Sequence, residues 1–263
     1  MKKIAIIGGG NLGSAIAQGL LGSGEYDAFN IIITRNKIER LSHLKDQGIH
    51  VSNDNVSAVK NANIVLIAVK PYKVTHVLRE ISNYLNPEKQ ILISVATGVT
   101  TNEISSTLGF EMPVFRAMPN TAIEIRESIT CICAKNATIE QNENVNKLFG
   151  LLGIAINIDE ELMDAATVLG ACGIAFVFRF IRAMMQAGIE IGFDAITAST
   201  ITEQTVKGAA ELLLKGKNHP EEEIDKVTTP KGCTISGLNE MEHRGFSSSL
   251  IKGVLSSFHK IEK

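Results

Sequence analysis

The chain has 263 residues, 44% of them hydrophobic, so it can bury one large core or two modest ones, and disorder is excluded as its ground state. Its 26 basic and 28 acidic residues leave a formal net charge of -2, so no overall field draws it to nucleic acid or to an anionic membrane. The four cysteines, Cys131, Cys133, Cys172 and Cys233, match neither a zinc-ligand spacing nor a C-x-x-C pair; they read as reduced thiols, and no metal site is expected.

The chain opens with "KIAII" (3–7), an apolar run too short for the h-region of a signal peptide. A helix follows from Asn11, then "NIIIT" (30–34), a helix through Leu41, "NIVLIAV" (63–69), a helix from Pro71 and "ILISV" (91–95). Short β-branched runs alternating with amphipathic segments predict βαβ units, hence a parallel sheet with helices on both faces. The later runs "PVFRAM" (113–118), "SITCICA" (128–134) and "GIAINI" (153–158) extend and close it.

Near Asp159 the texture changes. Helical patterns cover roughly Glu160–Gly170, Ile174–Ile191, Asp194–Leu214 and Ser247–Ile261, so an α/β domain over 1–159 is expected to join an all-helical domain over 160–263. The segment from Asp164 to Phe193 is apolar around most of its circumference and must be covered on every side. A domain of about a hundred residues can hardly do that alone, so a dimer with interlocked helices is expected, a monomeric bundle being the alternative. The longest uncharged stretch, Ala165–Phe178, falls short of the ~20 residues of a spanning helix, so the expectation is a soluble, cytoplasmic protein without a membrane partner.

Gly8, Gly10 and Gly13 stand in the spacing G-x-G-x-x-G, directly after the first strand and opening the first helix. In that context the first glycine permits the tight turn, the second admits a pyrophosphate to the backbone, and the third lets helix pack on strand. The second strand ends in Thr34, Arg35 and Asn36, without the carboxylate that would accept from a ribose 2′-hydroxyl. Arg35 suits a 2′-phosphate instead, which favours NADPH over NADH.

With "AVKPYKV" (68–74), "SVATGVT" (94–100), "RAMPNTA" (116–122) and "KVTTPKGCTISGL" (226–238) in order along the chain, the sequence resembles the pyrroline-5-carboxylate reductases. The resemblance implies a Rossmann-type dinucleotide domain, an all-α dimerisation domain and NAD(P)H-dependent reduction of a cyclic imine to proline. It implies that Ile7, Gly8, Gly9, Gly10, Asn11, Leu12 and Gly13 hold the pyrophosphate, Thr34 and Arg35 the adenosine phosphate, and Asn55 the adenosine ribose. Ala68, Val69, Lys70, Pro71, Val95, Ala96 and Thr97 would line the path to the nicotinamide, and Lys226 would reach the cofactor from the helical domain. For the substrate, 1-pyrroline-5-carboxylate, it implies Glu160, Thr229, Gly232, Cys233 and Thr234. The chain departs from the family pattern at Lys231, where a glycine is usual, and in "GACGIAF" (170–176), where S-G-S-G-P-A-Y is favoured.

The implied loop suits its task. Free N–H groups at Gly232, Cys233 and Thr234, at a helix start, favour a carboxylate. From spacing alone, Thr234 reads more readily as an N-cap; the resemblance reverses this and makes its hydroxyl the expected catalytic contact to the ring nitrogen. Hydride transfer to a protonated imine needs positioning more than a strong acid, so the six scattered histidines read as surface residues. A β-hydroxyacid dehydrogenase is the alternative enzyme, but it needs a lysine on the central helix, and Ile174–Ile191 carries arginines and no lysine. A non-catalytic NADP-binding paralogue is the alternative outside catalysis.

Overall fold

The computed structural model describes residues 2–261; residues 1 and 262–263, the outer limits of the two expected domains, lie outside them. The chain forms two compact units, the first running through Cys172 and the second covering Gly173–Lys260. The first unit extends beyond Asp159 because Met163, Thr167 and Val168 are buried, Met163 against Met118, Cys131 and Cys133 of the sheet.

One eight-stranded sheet organises this unit. Its strands β1 (Ile4–Ile7), β2 (Ile31–Thr34), β3 (His50–Ser52), β4 (Ile64–Ile67), β5 (Ile91–Ser94), β6 (Val114–Met118), β7 (Ser128–Lys135) and β8 (Gly153–Asn157) lie in the order 3-2-1-4-5-6-7-8. The central strands β1, β4 and β5 are buried throughout, as continuous β-branched runs covered on both faces require. Ile4 and Ile6 point into one core with Ile16 and Leu20 of the helix Asn11–Gly22, while Ala5 and Ile7 point into the other with Val74 and Leu78 of the helix Pro71–Ile81.

One pairing departs from the expected parallel pattern. β7 runs antiparallel to β6, because the short link between them carries only a 3-10 turn, Thr121–Ile125, closed by Arg126 at φ 62°, with no crossover helix to restore direction. β8 then runs parallel to β7, since the helix Ile139–Gly150 supplies a crossover. That helix, and Thr101–Leu108, begin in capping boxes, Thr138 with Gln141 and Thr100 with Glu103. Both T-x-x-E/Q signals stand in the sequence, although helices were not expected there.

The second unit contains the helices Gly173–Glu190, Ala195–Gly216, Pro220–Val227, Cys233–His243 and Phe246–Ile261. Among the described residues of these helices, only Ala198 and Thr202 are fully buried. Close helix packing is confined to a few places, such as Gly188, where an added Cβ would lie 3.0 Å from the Ala198 Cβ. Phe178, Ile191, Ile196, Leu214 and Ile251 are all more than half exposed. A single copy therefore leaves this unit with almost no core of its own.

The two helices expected at Glu160–Gly170 and Ile174–Ile191 are one helical run, Glu160–Glu190, of 31 residues. A π-helical turn at Thr167–Cys172 takes up Gly170, and the α-helix continues from Gly173. By length and composition alone this run is long and apolar enough to cross a membrane, a test that the core helix of a soluble protein also passes.

Candidate active site

The turn after β1 is built by its glycines. Gly8 takes φ 117°, and a Cβ there would lie 2.6 Å from the Ala68 carbonyl oxygen; at Gly13 a Cβ would lie 2.1 Å from the Gly8 oxygen. Gly8 and Gly9 donate to the Thr34 carbonyl at 3.2 and 2.7 Å, tying the turn to the end of β2. A Cβ at Gly10, by contrast, would meet nothing within 4 Å. Gly10 is the N-cap of the helix Asn11–Gly22, without a side-chain cap and without an acidic residue in the first turn. The first N–H groups of that helix are therefore left for an anion, at its positive end.

Around this turn opens a cleft of about 1060 Å³. Ile7, Gly8, Gly9, Gly10, Asn11 and Leu12 line its floor, with Thr34, Arg35 and Asn55 at one side and Ala68, Val69, Lys70, Pro71, Val95, Ala96 and Thr97 at the other. Gly13 lies outside the lining because its role is the close packing against Gly8. The Arg35 guanidinium donates to the Gly9 carbonyl, so the side chain expected to meet a 2′-phosphate is folded onto the glycine turn. Thr34 is buried, and its hydroxyl donates to Asn55 Oδ1 at 2.6 Å; Asn55 Nδ2 in turn donates to both Glu80 oxygens at 3.2 and 3.0 Å.

The same cleft gathers residues that the sequence reading left aside. Met118, Pro119, Asn120 and Thr121 come from the "RAMPNTA" segment, quoted for the resemblance but not assigned to the site. Tyr72, His76 and Glu80 face it from the helix Pro71–Ile81, at the four-residue spacing that marks one helix face. His76, read as an ordinary surface residue, is exposed but belongs to this wall. Ala171 also lines the cleft, and the nearby Gly170 carbonyl, within the π turn, accepts from Asn120 Nδ2 at 3.3 Å.

Both Glu160 oxygens are engaged. Oε1 accepts from the Thr101 backbone N–H at 2.7 Å and from Arg116 Nη1 at 3.0 Å, and Oε2 accepts from the Thr101 hydroxyl at 2.5 Å. Burial pushes the Glu160 carboxyl up, but the two Thr101 bonds and the Arg116 charge outweigh it and hold it below the ordinary carboxylate value. Next to this pair, burial and the Glu160 charge push the Cys133 thiol up to about 11, and burial also raises that of Cys131, so both stay protonated near neutrality.

Lys226, Thr229, Gly232, Cys233 and Thr234 belong to the second unit. There the Gly232 N–H closes a turn on the Thr229 carbonyl at 2.9 Å, and a Cβ at Gly232 would lie 2.6 Å from the Thr229 hydroxyl oxygen. Lys226 Nζ is paired with Glu223 at 2.7 Å. The helix starts at Cys233 with Gly232 as its N-cap and no capping side chain, so Thr234 is not the cap. Its hydroxyl makes no hydrogen bond among the described residues, it is exposed, and the N–H groups around it are free of a side-chain cap. Lys231 takes φ 61°, the left-handed region that glycine enters without cost. That conformation explains why glycine suits the position.

Comparison with known proteins agrees with this geometry. Residues 160–263 match the family model described as "Pyrroline-5-carboxylate reductase dimerisation", and residues 3–98 match "NADP oxidoreductase coenzyme F420-dependent". Pyrroline-5-carboxylate reductase 2 of Dictyostelium discoideum is 45% identical, covering 100% of this chain and 93% of its own length. The pyrroline-5-carboxylate reductase of Methanosarcina acetivorans is 36% identical over 97% of this chain and 94% of its own. The crystal structure of Plasmodium falciparum pyrroline carboxylate reductase, with NADP bound, superposes with a TM-score of 0.90 at 27% identity, covering 99% of this chain and 97% of that one. A glycine turn built to leave one helix end open, an uncapped hydroxyl-rich loop before a second helix, and full-length likeness together place the chain in the pyrroline-5-carboxylate reductase family.

Proposed function

We propose that the protein reduces the C=N bond of 1-pyrroline-5-carboxylate to L-proline with NADPH, the final step of proline biosynthesis. The observation that carries this reading is full-length likeness to pyrroline-5-carboxylate reductases, combined with a cleft whose glycine turn leaves room for a pyrophosphate at Gly10. The cleft's size and donors fit a dinucleotide: open backbone N–H groups at Asn11 and Leu12 suit the phosphates, and Arg35 suits a 2′-phosphate. When bound, the nicotinamide cofactor supplies the hydride.

The protein's residues position. Ile7 to Leu12 hold the pyrophosphate, Thr34, Arg35 and Asn55 the adenosine end, and Ala68 to Pro71 with Val95 to Thr97 the nicotinamide end; Lys226 adds a contact from the helical domain. The N–H groups of Cys233 and Thr234, free of a side-chain cap, hold the substrate carboxylate at a positive helix end, with Thr229 beside them and Gly232, whose own N–H is spent on the Thr229 carbonyl, shaping the turn. The Thr234 hydroxyl holds a proton at the ring nitrogen, so the imine carbon stays electrophilic. Glu160 serves the pocket as the fixed partner of Arg116 and Thr101. In this reading the functional division is 1–159 for the cofactor and 160–263 for dimerisation and substrate.

A dimerisation domain makes a homo-oligomer the natural state. At least a dimer is proposed, since the second unit buries almost nothing by itself; a solution mass equal to one chain of 28.4 kDa would contradict it. The same pairing would cover the apolar run Glu160–Glu190 and leave the enzyme soluble in the cytoplasm. The decisive assay follows NADPH oxidation by absorbance with racemic pyrroline-5-carboxylate. Turnover supports the proposal, and its absence where an established reductase works under the same conditions ends it.

A further inference from the structure

We infer that Glu80 is a specificity residue of the cleft, whose carboxylate, held beside the end of β2 through Asn55, limits the preference for a dinucleotide bearing a 2′-phosphate over one bearing a free ribose diol. The inference rests on the reductase reading of the same cleft. Its basis is the chain of contacts Thr34–Asn55–Glu80. An ionised carboxylate only accepts hydrogen bonds, so Asn55 must turn its NH₂ toward Glu80 and its oxygen toward the Thr34 hydroxyl, as found. One amide side chain therefore separates the end of β2 from a negative charge.

In this fold the end of the second strand is where the ribose 2′ position is read, and a carboxylate there accepts from a 2′-hydroxyl. β2 itself supplies none: Thr34 is followed by Arg35, Asn36 and Lys37. Glu80 brings one from the far end of the helix Pro71–Ile81, and among the described residues it is the only carboxylate lining the cleft. The other charges there are cationic: Arg35, Lys37, Lys70 and Lys73. Arg35 and Lys37 attract a phosphate dianion, while Glu80 repels it and can accept from a diol. The balance of the two sets the selectivity, and because Glu80 is exposed, its contribution is of the kind that salt screens.

The test is calorimetric titration of NADP⁺ and NAD⁺ into the intact wild-type protein and Glu80→Gln, each at low and high salt. Glutamine keeps the shape and an acceptor for Asn55 but removes the charge. Glu80→Gln should bind NADP⁺ about three- to tenfold more tightly than wild type, a gain that shrinks at high salt, while NAD⁺ binding does not tighten. Unchanged NADP⁺ affinity, or an equal shift for both nucleotides, would overturn the inference. Glu80→Ala supplies a second control: if Glu80 merely positions Asn55, alanine shifts both nucleotides alike while glutamine shifts neither, and the inference falls. Nucleotides bound in a ratio indifferent to Glu80 would defeat this inference alone, whereas a wild-type protein that bound neither would defeat the reductase reading with it.

Discussion

Arg116 Nη1 lies 3.0 Å from Glu160 Oε1, with the Arg116 side chain 3% and the Glu160 side chain 30% exposed, so the first turn of the long helical run is fastened to β6 by an ion pair whose cation is buried. Asp164 is 3.8 Å from Nη2, and Nε makes no hydrogen bond among the described residues, so Glu160 is the main compensation for the buried guanidinium. The same carboxylate grips Thr101. One acidic side chain thus links β6, the start of the helix Thr101–Leu108 and the helical run.

Glu160→Ala should accordingly destabilise the protein by about 3 kcal/mol, the scale for stranding a buried charge. The native pKa of Glu160 is depressed, so the folded state holds this proton less tightly than the unfolded one. Its contribution is full above the ordinary unfolded value of about 4.3 and is lost as pH falls through the lower native value. Denaturant titrations across acid pH should show a steeper loss in wild type than in Glu160→Gln. Parallel acid limbs would contradict the assignment.

Two glycines of one turn should respond in opposite ways. Gly13→Ala drives a Cβ to 2.1 Å from the Gly8 oxygen and should lower the melting temperature markedly. Gly10→Ala meets nothing within 4 Å, so folding should survive while NADPH affinity drops by roughly tenfold or more, as the methyl takes the pyrophosphate's place. Thermal melts and cofactor titrations on both variants separate the effects.

Arg35→Ala should raise the KM for NADPH by roughly tenfold or more and leave that for NADH nearly unchanged, because a bidentate phosphate contact is lost. Steady-state kinetics with both cofactors measure the ratio. An equal rise for both would show that Arg35 serves the turn through Gly9 rather than the phosphate.

Thr234→Val should cut kcat by about 10²-fold, the lower range for losing a positioned proton donor, with cofactor affinity retained. Since Gly232 is the helix N-cap, the melting temperature should hardly move. A large loss of stability would return Thr234 to a structural role.

Lys231→Gly should be at least as stable as wild type, and Lys231→Val about 1 kcal/mol or more worse, because φ 61° is costly for a branched side chain. Chemical denaturation of the three proteins orders them.

The sequence by itself determined the alternation of strands and helices in the first half and the glycine turn, because these rest on local rules: continuous β-branched runs, period-3.6 apolar patterns and a fixed glycine spacing. Sixteen of the positions that the family resemblance assigned to the cofactor line one cleft, Gly13 and Lys226 being the exceptions. The reversal of β7 was not legible, since it depends on whether a short link between strands can make a crossover. Nor were Glu80 and His76, whose relevance arises only when the helix Pro71–Ile81 lies along the cleft. The tertiary structure also decided the state of Glu160, read as a substrate contact: packing put Thr101, 59 residues away, against both of its oxygens. Apolar patterning specifies which face is buried, but only the packed fold specifies which polar groups meet there, because each hydrogen bond depends on distances between segments far apart in the chain.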